Sequence, residues 1–138
     1  FYTIDGFIKI LANYTPEDIV TKFSNYCIVI DEVHHLKNIK DVGEYNTIHK
    51  FLHTIKNKKV VLMSGTPMSD QPNELADIMN LILPLNNQMP TESQFDNRFL
   101  ISETQYVTKL DPDSIPELKQ FIKGRVSYLK SSESNVNA

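Results

Sequence analysis

Two short runs of apolar, largely β-branched residues set the strongest limit on how this chain can fold. The first run, Cys27–Ile30, ends in the acidic pair Asp31-Glu32, and the second, 60–63, ends in Ser64-Gly65-Thr66-Pro67. Runs that are apolar at every position are typical of central parallel strands covered on both faces, although periodicity alone also permits buried helix. An amphipathic stretch at 44–55 separates them. We therefore expect an α/β fold with a parallel sheet and flanking helices.

Apolar residues at helical spacing predict helices around that sheet. The helix start at Thr15-Pro16-Glu17-Asp18 has a hydroxyl N-cap, proline at the first position and acids in the positively polarised first turn. Thr91-x-x-Gln94 resembles a capping box, and Ser114 is a second predicted cap, for a helix that ends at Gly124. The predicted helices cover 4–11, 16–25, 44–55 and 73–83, with two shorter ones after Thr91 and Ser114.

Length, composition and charge exclude several classes of protein. The 138 residues fit one ordinary domain, and hydrophobic residues reach 41%, which is enough for a packed core. The net charge of −3 gives no overall basic field that would mark a nucleic-acid-binding domain, but it is compatible with a local basic face. The chain opens on Phe1 instead of Met, so we expect it to be a piece of a longer protein.

The cysteine content and the short apolar runs bear on cellular location. Cys27 is the sole cysteine and cannot form an intramolecular disulfide, which favours a reducing compartment. Its place in an apolar run predicts a small buried side chain. No apolar run approaches the roughly 18–20 residues of a membrane span, and no secretory signal opens the chain. We expect a cytoplasmic or nuclear protein that is not secreted and has no membrane partner.

Polar side chains follow both predicted strands, at the edge where open α/β sheets bind ligands. Of Asp31 and Glu32, one acid can hold Mg²⁺ through water, and the other can deprotonate a water that attacks a γ-phosphate. A solvated acidic turn is the alternative. The hydroxyls of Ser64 and Thr66, with Gly65 between them, can hydrogen-bond across to the neighbouring strand's acids, or the segment is an ordinary strand-to-helix turn.

In combination, the two signals are far more specific than either alone. Asp31-Glu32-Val33-His34 resembles the DExH box (motif II, Walker B) of superfamily 2 helicases and translocases, and Ser64-Gly65-Thr66 resembles their motif III. The continuation through 67–75 and 81–84 is similar to the Snf-type remodeller branch and to helicase-like NTPases of large DNA viruses. The segment 124–129 is similar to the viral branch's exit from the first RecA-like lobe.

The resemblance implies a fold and a domain organisation. Residues 1–130 would be the C-terminal part of a first RecA-like lobe, the nucleotide-binding fold of P-loop NTPases. Residues 131–138, which are rich in Ser and Asn, are expected to be a disordered tail.

The resemblance also implies a role for each matching residue. Asp31 would help to hold Mg²⁺ through water, and Glu32 would be the catalytic base for the attacking water. His34 would contact motif III or the partner lobe and couple hydrolysis to nucleic-acid movement. Within motif III, Ser64 and Thr66, on either side of Gly65, would form the hydrogen-bonded link to motif II. Tyr2-Thr3-Ile4-Asp5 resembles a stretch that touches the nucleic-acid backbone, with Thr3 as a plain helix cap as the alternative.

Two parts of the family pattern are absent from these 138 residues. No G-x-x-x-x-G-K-[ST] P-loop is present to cradle phosphates. The second RecA-like lobe is also missing, and its arginine finger can be worth about 10³–10⁵ in rate. Arg98 and Arg125 have no motif context that would replace it. We therefore expect this chain to be inactive by itself, with the P-loop segment and the second lobe as its partners.

The leading hypothesis is a motif II–III fragment of a nucleic-acid-dependent ATPase, a helicase or DNA translocase. Its parent would use ATP and Mg²⁺, with DNA favoured over RNA as the track. The alternative is a non-catalytic scaffold derived from a helicase lobe, for example in a viral transcription factor subunit. A zinc hydrolase using His49, His53, His34 and His35 is a third interpretation, but no H-E-x-x-H pattern supports it.

Overall fold

A computed structural model of the chain describes residues 1–36 and 42–129. Two helices precede a strand–helix–strand unit in the first half, and in the second half a small hairpin lies between the last two helices. The elements are α1 Ile4–Leu11, α2 Pro16–Phe23, β1 Cys27–Ile30, α3 Val42–Thr54, β2 Lys59–Leu62, α4 Glu74–Asn80, α5 Glu92–Phe99, β3 Leu100–Ser102, β4 Thr108–Leu110 and α6 Ile115–Ile122.

Strands β1 and β2 lie side by side in parallel, which confirms the predicted strand–helix–strand unit. Their register pairs Cys27 with Lys59 and Ile30 with Leu62. The ladder continues past the strand ends, because the Met63 amide donates to the Ile30 carbonyl at 2.9 Å. Parallel pairing brings both carboxyl ends to one edge of the sheet, and the polar motifs follow from that edge.

The parallel pair is covered on one face within the described residues, so the prediction of strands buried on both faces is wrong. Side chains alternate along each strand between half-buried and exposed. Cys27 is exposed, contrary to the expected buried side chain. The reason is that α1, α2 and α3 pack on a single face, and the period-2 alternation of a strand turns every second residue away from them. The outward apolar residues are Cys27, Val29, Val61 and Met63.

An aromatic cluster holds the helices of the first half together. Phe7, Phe23 and Phe51 meet edge to face, with ring centroids 5.6, 5.0 and 5.5 Å apart. Such geometry adds about 0.5–1.5 kcal/mol per pair beyond the area that the rings bury. In the same core, Leu52 and Val33 are almost completely buried. Val33 lies three residues beyond the end of β1, so this core also anchors the turn that carries motif II.

Side-chain caps start the first two helices. The Thr15 hydroxyl accepts from the Asp18 amide at 3.2 Å, and the Asp18 carboxylate accepts from the Thr15 amide at 3.2 Å. This reciprocal capping box satisfies two amides that the first turn leaves free, and it confirms the predicted helix start. The chain leaves α2 through Asn25, which has a left-handed backbone with φ 68°.

The second half packs α4, α5 and α6 around a separate apolar cluster that includes Leu83 and Phe99. Helix α4 ends at Asn80, so the predicted extent of 73–83 is too long. The amides of Leu81 and Ile82 bond to carbonyls three residues back, which tightens the chain before Pro84, where the preceding residue avoids the α region. Asn80 then holds the loop, since its amide group exchanges hydrogen bonds with the Met89 backbone.

Two predicted side-chain caps in this half are wrong, although a helix begins at each place. Thr91 and Ser114 make no side-chain cap bond. Ser114 has a helical backbone, with φ −86° and ψ −11°, instead of the extended backbone of an N-cap residue, and its hydroxyl donates to the Asp111 carbonyl at 2.8 Å. Helix α6 ends at Ile122 and Gly124 has φ +76°, which agrees with the predicted glycine stop.

The antiparallel β3–β4 hairpin was not predicted. The expected disordered tail at 131–138 lies outside the described residues. Across the described residues, every helix is too short or too polar to cross a membrane.

Candidate functional site

The site begins where β1 gives way to a tight turn at the carboxyl edge of the sheet. The Val33 amide donates to the Met63 carbonyl at 3.0 Å, which ties the turn to the end of β2. The Val33 side chain is 1% exposed and packs into the first core. A 3₁₀ turn at Val33–Leu36 follows. Backbone bonding and burial thus fix the residues on either side, Asp31, Glu32 and His34, relative to β2.

Asp31 and Glu32 are exposed at this edge, and their backbone is unusual. Glu32 has φ 50°, the left-handed region, which costs a residue with a Cβ about 1–2 kcal/mol. The Asp31 Oδ1 accepts from the Glu32 amide at 2.8 Å and so stabilises the turn. Strained residues of this kind persist where the surrounding structure enforces them, and they are concentrated at functional sites.

His34 joins the two motifs. Its Nδ1 lies 2.7 Å from the Ser64 hydroxyl and 3.3 Å from Oε2 of Glu32. A hydroxyl can donate or accept, so the contact with Ser64 suits either tautomer of the imidazole. His34 is half-buried, whereas Glu32 is exposed. The imidazole therefore bridges an exposed carboxylate and the end of the neighbouring strand.

Motif III contributes to this link through one side chain. Ser64 Oγ bonds to His34 and also accepts from the Thr66 amide at 3.1 Å. Thr66 enters the network through its backbone, and a Cβ on Gly65 would meet nothing within 4 Å. The sequence predicted that Ser64 and Thr66 would both link to motif II. The structure brings Ser64 and His34 together and orders the turn beyond them.

The remaining predicted residues lie elsewhere or do other things. Thr3 is the N-cap of α1, where its hydroxyl accepts from the Gly6 amide at 3.0 Å. The His35 ring lies beside that of His34, with centroids 4.3 Å apart. His49 and His53 are half-buried and bond to the Gln88 side chain and to the Leu83 carbonyl. Over the described ranges, no three His, Cys, Asp or Glu residues gather as a metal cluster.

Sequence reasoning missed two buried groups that bind backbone atoms in or next to α4. Glu74, at the start of α4, accepts hydrogen bonds from the backbone just beyond motif III. Tyr45 of α3 donates to the Asp77 carbonyl at 2.5 Å, and burial, with a smaller contribution from the Asp77 charge, raises its pKa well above the usual range. The available signal was weak, since an acid at a helix start usually faces solvent.

The chain belongs to the SNF2-related domain family, which matches residues 8–134. Its parallel strand pair with flanking helices is accordingly part of a RecA-like α/β lobe, as the motif resemblance to superfamily 2 helicases implied. The fold expectation is confirmed.

Viral proteins are among its relatives. The chain is 38% identical to "Putative helicase 009L" of Frog virus 3 (isolate Goorha), over 96% of this chain and 13% of that protein. It is 31% identical to "Putative helicase 087L" of Invertebrate iridescent virus 3, over 99% of this chain and 12% of that protein. It is also 31% identical to "Putative ATP-dependent RNA helicase R563" of Acanthamoeba polyphaga mimivirus, over 96% of this chain and 23% of that protein. The chain thus spans about an eighth of the first two relatives. No solved structure matches it.

Proposed function

We propose that this chain is the motif II–III portion of a helicase-type ATPase whose intact protein couples ATP hydrolysis to movement along nucleic acid. The observation that carries the proposal is the 2.7 Å contact between His34 Nδ1 and Ser64 Oγ. It joins the acid-bearing end of β1 to the end of β2, so a change at the carboxylates can reach the neighbouring strand. Relatives described as helicases support the same function.

Glu32 is the proposed catalytic base. It lies at the carboxyl edge of the sheet, it is exposed to an incoming phosphate, and its strained backbone is fixed by the Asp31 carboxylate. A carboxylate that takes a proton from the attacking water contributes about 10²–10⁴ in rate. Glu32 Oε2 lies 3.3 Å from Nδ1 of His34, the same atom that contacts the Ser64 hydroxyl. His34 would therefore report hydrolysis to Ser64.

Asp31 is the proposed Mg²⁺-binding residue, through water. The donor chemistry fits, because Mg²⁺ prefers oxygen ligands, keeps several waters and needs only one or two carboxylates beside the nucleotide phosphates. The Glu32 amide holds Oδ1, which fixes the direction in which this exposed carboxylate points. When bound, the ion neutralises charge that develops on the phosphate oxygens. The P-loop and the arginine finger would come from other parts of the intact protein.

The expected track is nucleic acid, with DNA favoured over RNA, and the expected location is the cytoplasm or nucleus, where a viral motor would act. One relative is named as an ATP-dependent RNA helicase, which supports ATP as the nucleotide. Because that name specifies RNA, the test must include RNA as well as DNA. ATP hydrolysis by the intact protein can be measured in the presence of duplex DNA, single-stranded DNA or RNA. The nucleic acid that stimulates turnover most is the track.

The test is Glu32→Gln in the intact protein. The amide cannot accept the proton from water, so we expect turnover to fall by about 10²–10⁴ while ATP binding stays measurable. Glu17→Gln, which neutralises an exposed acid in α2, is the matched control and should hydrolyse normally. Near-normal turnover in Glu32→Gln would refute the role of Glu32. An intact protein with neither ATP binding nor hydrolysis would favour the scaffold alternative.

A further inference from the structure

Glu74 is a buried acid that holds the chain just beyond motif III. The residue is 3% exposed, at the first position of α4. Its Oε2 lies 2.8 Å from the Ser69 nitrogen and 3.3 Å from the Asp70 nitrogen, and both amides donate to it. A buried carboxylate is unfavourable unless it is hydrogen-bonded, and amide bonds to a charged acceptor are stronger than neutral ones. The Glu74 side chain therefore holds the backbone of the preceding segment in addition to starting α4.

These bonds fix a segment that has no regular structure of its own. Residues 64–71 form neither helix nor strand, and most of them are exposed. The segment is held at one end by the bond from Ser64 to His34 and at the other by the two bonds to Glu74. Between the ends, Met68 is 51% exposed. We call residues 64–70 the motif III strap.

The far anchor is part of a buried helix. Helix α4 continues from Glu74 into Ala76 and Met79, which are buried in the second core. Tyr45 of α3 also bonds to the α4 backbone, at the Asp77 carbonyl. The strap thus spans from the end of β2, next to motif II, to a helix that is packed on both the first and the second core.

We propose that Glu74 is a positioning residue, which keeps the Ser64 hydroxyl within reach of His34 by fixing the far end of the motif III strap. The inference rests on the proposed function, because the contact that it maintains is the link between hydrolysis and movement. Without the carboxylate, the amides of Ser69 and Asp70 lose their acceptor and the strap is held at one end. Nucleic-acid stimulation of hydrolysis then weakens more than ATP binding does.

The experiment uses the intact protein with duplex DNA as the probe. Three forms are compared: wild type, Glu74→Ala and Glu74→Gln, which keeps an acceptor oxygen facing the two amides. Glu17→Ala and Glu17→Gln make the same changes at an exposed acid and serve as controls. The readouts are kcat with and without DNA, KM for ATP, and hydrogen exchange of the peptide that covers the strap.

We expect Glu74→Ala to reduce the ratio of DNA-stimulated to unstimulated kcat about 10- to 100-fold, since a misplacement of about 1 Å has an effect of that order. KM for ATP should stay within about twofold, and exchange in the strap should accelerate. Glu74→Gln should restore most of the ratio. A purely structural role would lower both kcat values together and leave their ratio unchanged.

The failure of this inference differs from the failure of the proposed function. If wild type is stimulated by DNA and Glu74→Ala keeps its ratio within about twofold, the positioning role is overturned and the proposed function stands. If Glu74→Ala does not fold, Glu74→Met, which fills similar space without an acceptor oxygen, takes its place: faster strap exchange with a reduced ratio supports the inference, and wild-type values overturn it. If wild type neither hydrolyses ATP nor responds to nucleic acid, both proposals fail.

Discussion

The Ser64 hydroxyl lies 2.7 Å from Nδ1 of His34, although the two residues are far apart in the chain and follow different strands. Parallel pairing of β1 with β2 creates this contact, because it brings the two carboxyl ends to one edge of the sheet. The hydrogen bond from the Val33 amide to the Met63 carbonyl then fixes the position of the turn after β1 relative to the end of β2. A single register shift would separate the pair, so the contact depends on the sheet.

The first prediction concerns this contact. In the intact protein, Ser64→Ala and His34→Ala should each reduce nucleic-acid-stimulated ATP hydrolysis, and the double variant should lose less than the sum of the two. Residues in direct contact show interaction energies between about 0.5 and 3 kcal/mol in such cycles. Measurement of kcat for the four proteins gives this energy. Ser93→Ala, at an exposed serine of α5, is the control, and full additivity of Ser64→Ala and His34→Ala would refute the coupling.

Much of this site could be predicted from the sequence because each motif directly follows a recognisable strand, and the two motifs together are more specific than either alone. Each strand is recognisable from its apolar run, and the polar residues that follow it must lie at one edge once the strands are parallel. The contact between His34 and Ser64 agrees with that expectation, while the chemical roles of Asp31, Glu32 and His34 stay predictions. The left-handed backbone at Glu32 could not be read from the sequence, since glutamate, unlike Asn or Asp, gives no signal for positive φ.

The predictions that failed depended on what packs against a residue. Cys27 and Val29 belong to a run that looks buried on both sides, but burial is decided by the layers that cover the sheet. The β3–β4 hairpin has short strands that are almost entirely exposed, so no alternation of apolar residues marks it. Sequence patterns predict elements that carry their own periodicity better than those that depend on neighbours.

The second prediction concerns the first core. Leu52 has no exposed surface, so Leu52→Ala should lower the free energy of unfolding by about 2–5 kcal/mol through lost burial and a residual cavity. Leu85→Ala makes the same change at a residue that is 64% exposed, and its effect should stay within about 0.5 kcal/mol. The chain has no tryptophan, so urea unfolding is followed by circular dichroism. Equal midpoints for the two variants would contradict the assigned core.

The third prediction concerns alkaline pH. Burial raises the pKa of Tyr45 above its usual value of 10, so the folded state retains this proton after the unfolded chain has lost it. Tyr45 therefore contributes stability that is fully present below pH 10 and declines as pH rises further, by up to about 1.4 kcal/mol per pH unit. Tyr45→Phe should lessen the fall of stability between pH 10 and 12, measured by urea unfolding.

The control for Tyr45 is Tyr106→Phe, because Tyr106 is 89% exposed in the hairpin loop and its change should leave the alkaline slope as in wild type. At neutral pH, Tyr45→Phe should also lose about 0.5–1.5 kcal/mol, since the hydroxyl no longer donates to the Asp77 carbonyl. An alkaline slope that is the same in all three proteins would show that Tyr45 is not protected by the fold.

The fourth prediction separates a helix cap that forms from one that the sequence merely suggests. Thr15 and Thr91 both precede a helix, but only the Thr15 hydroxyl accepts a hydrogen bond from the helix backbone. Thr15→Ala should therefore cost about 0.5–2 kcal/mol of stability, because one amide of the first turn loses its acceptor. Thr91→Ala removes the same hydroxyl without breaking a cap bond and should cost less than about 0.5 kcal/mol. The urea unfolding midpoints of the two variants test this difference in stability. A larger loss of stability in Thr91→Ala than in Thr15→Ala would mean that the predicted capping box at Thr91 forms after all.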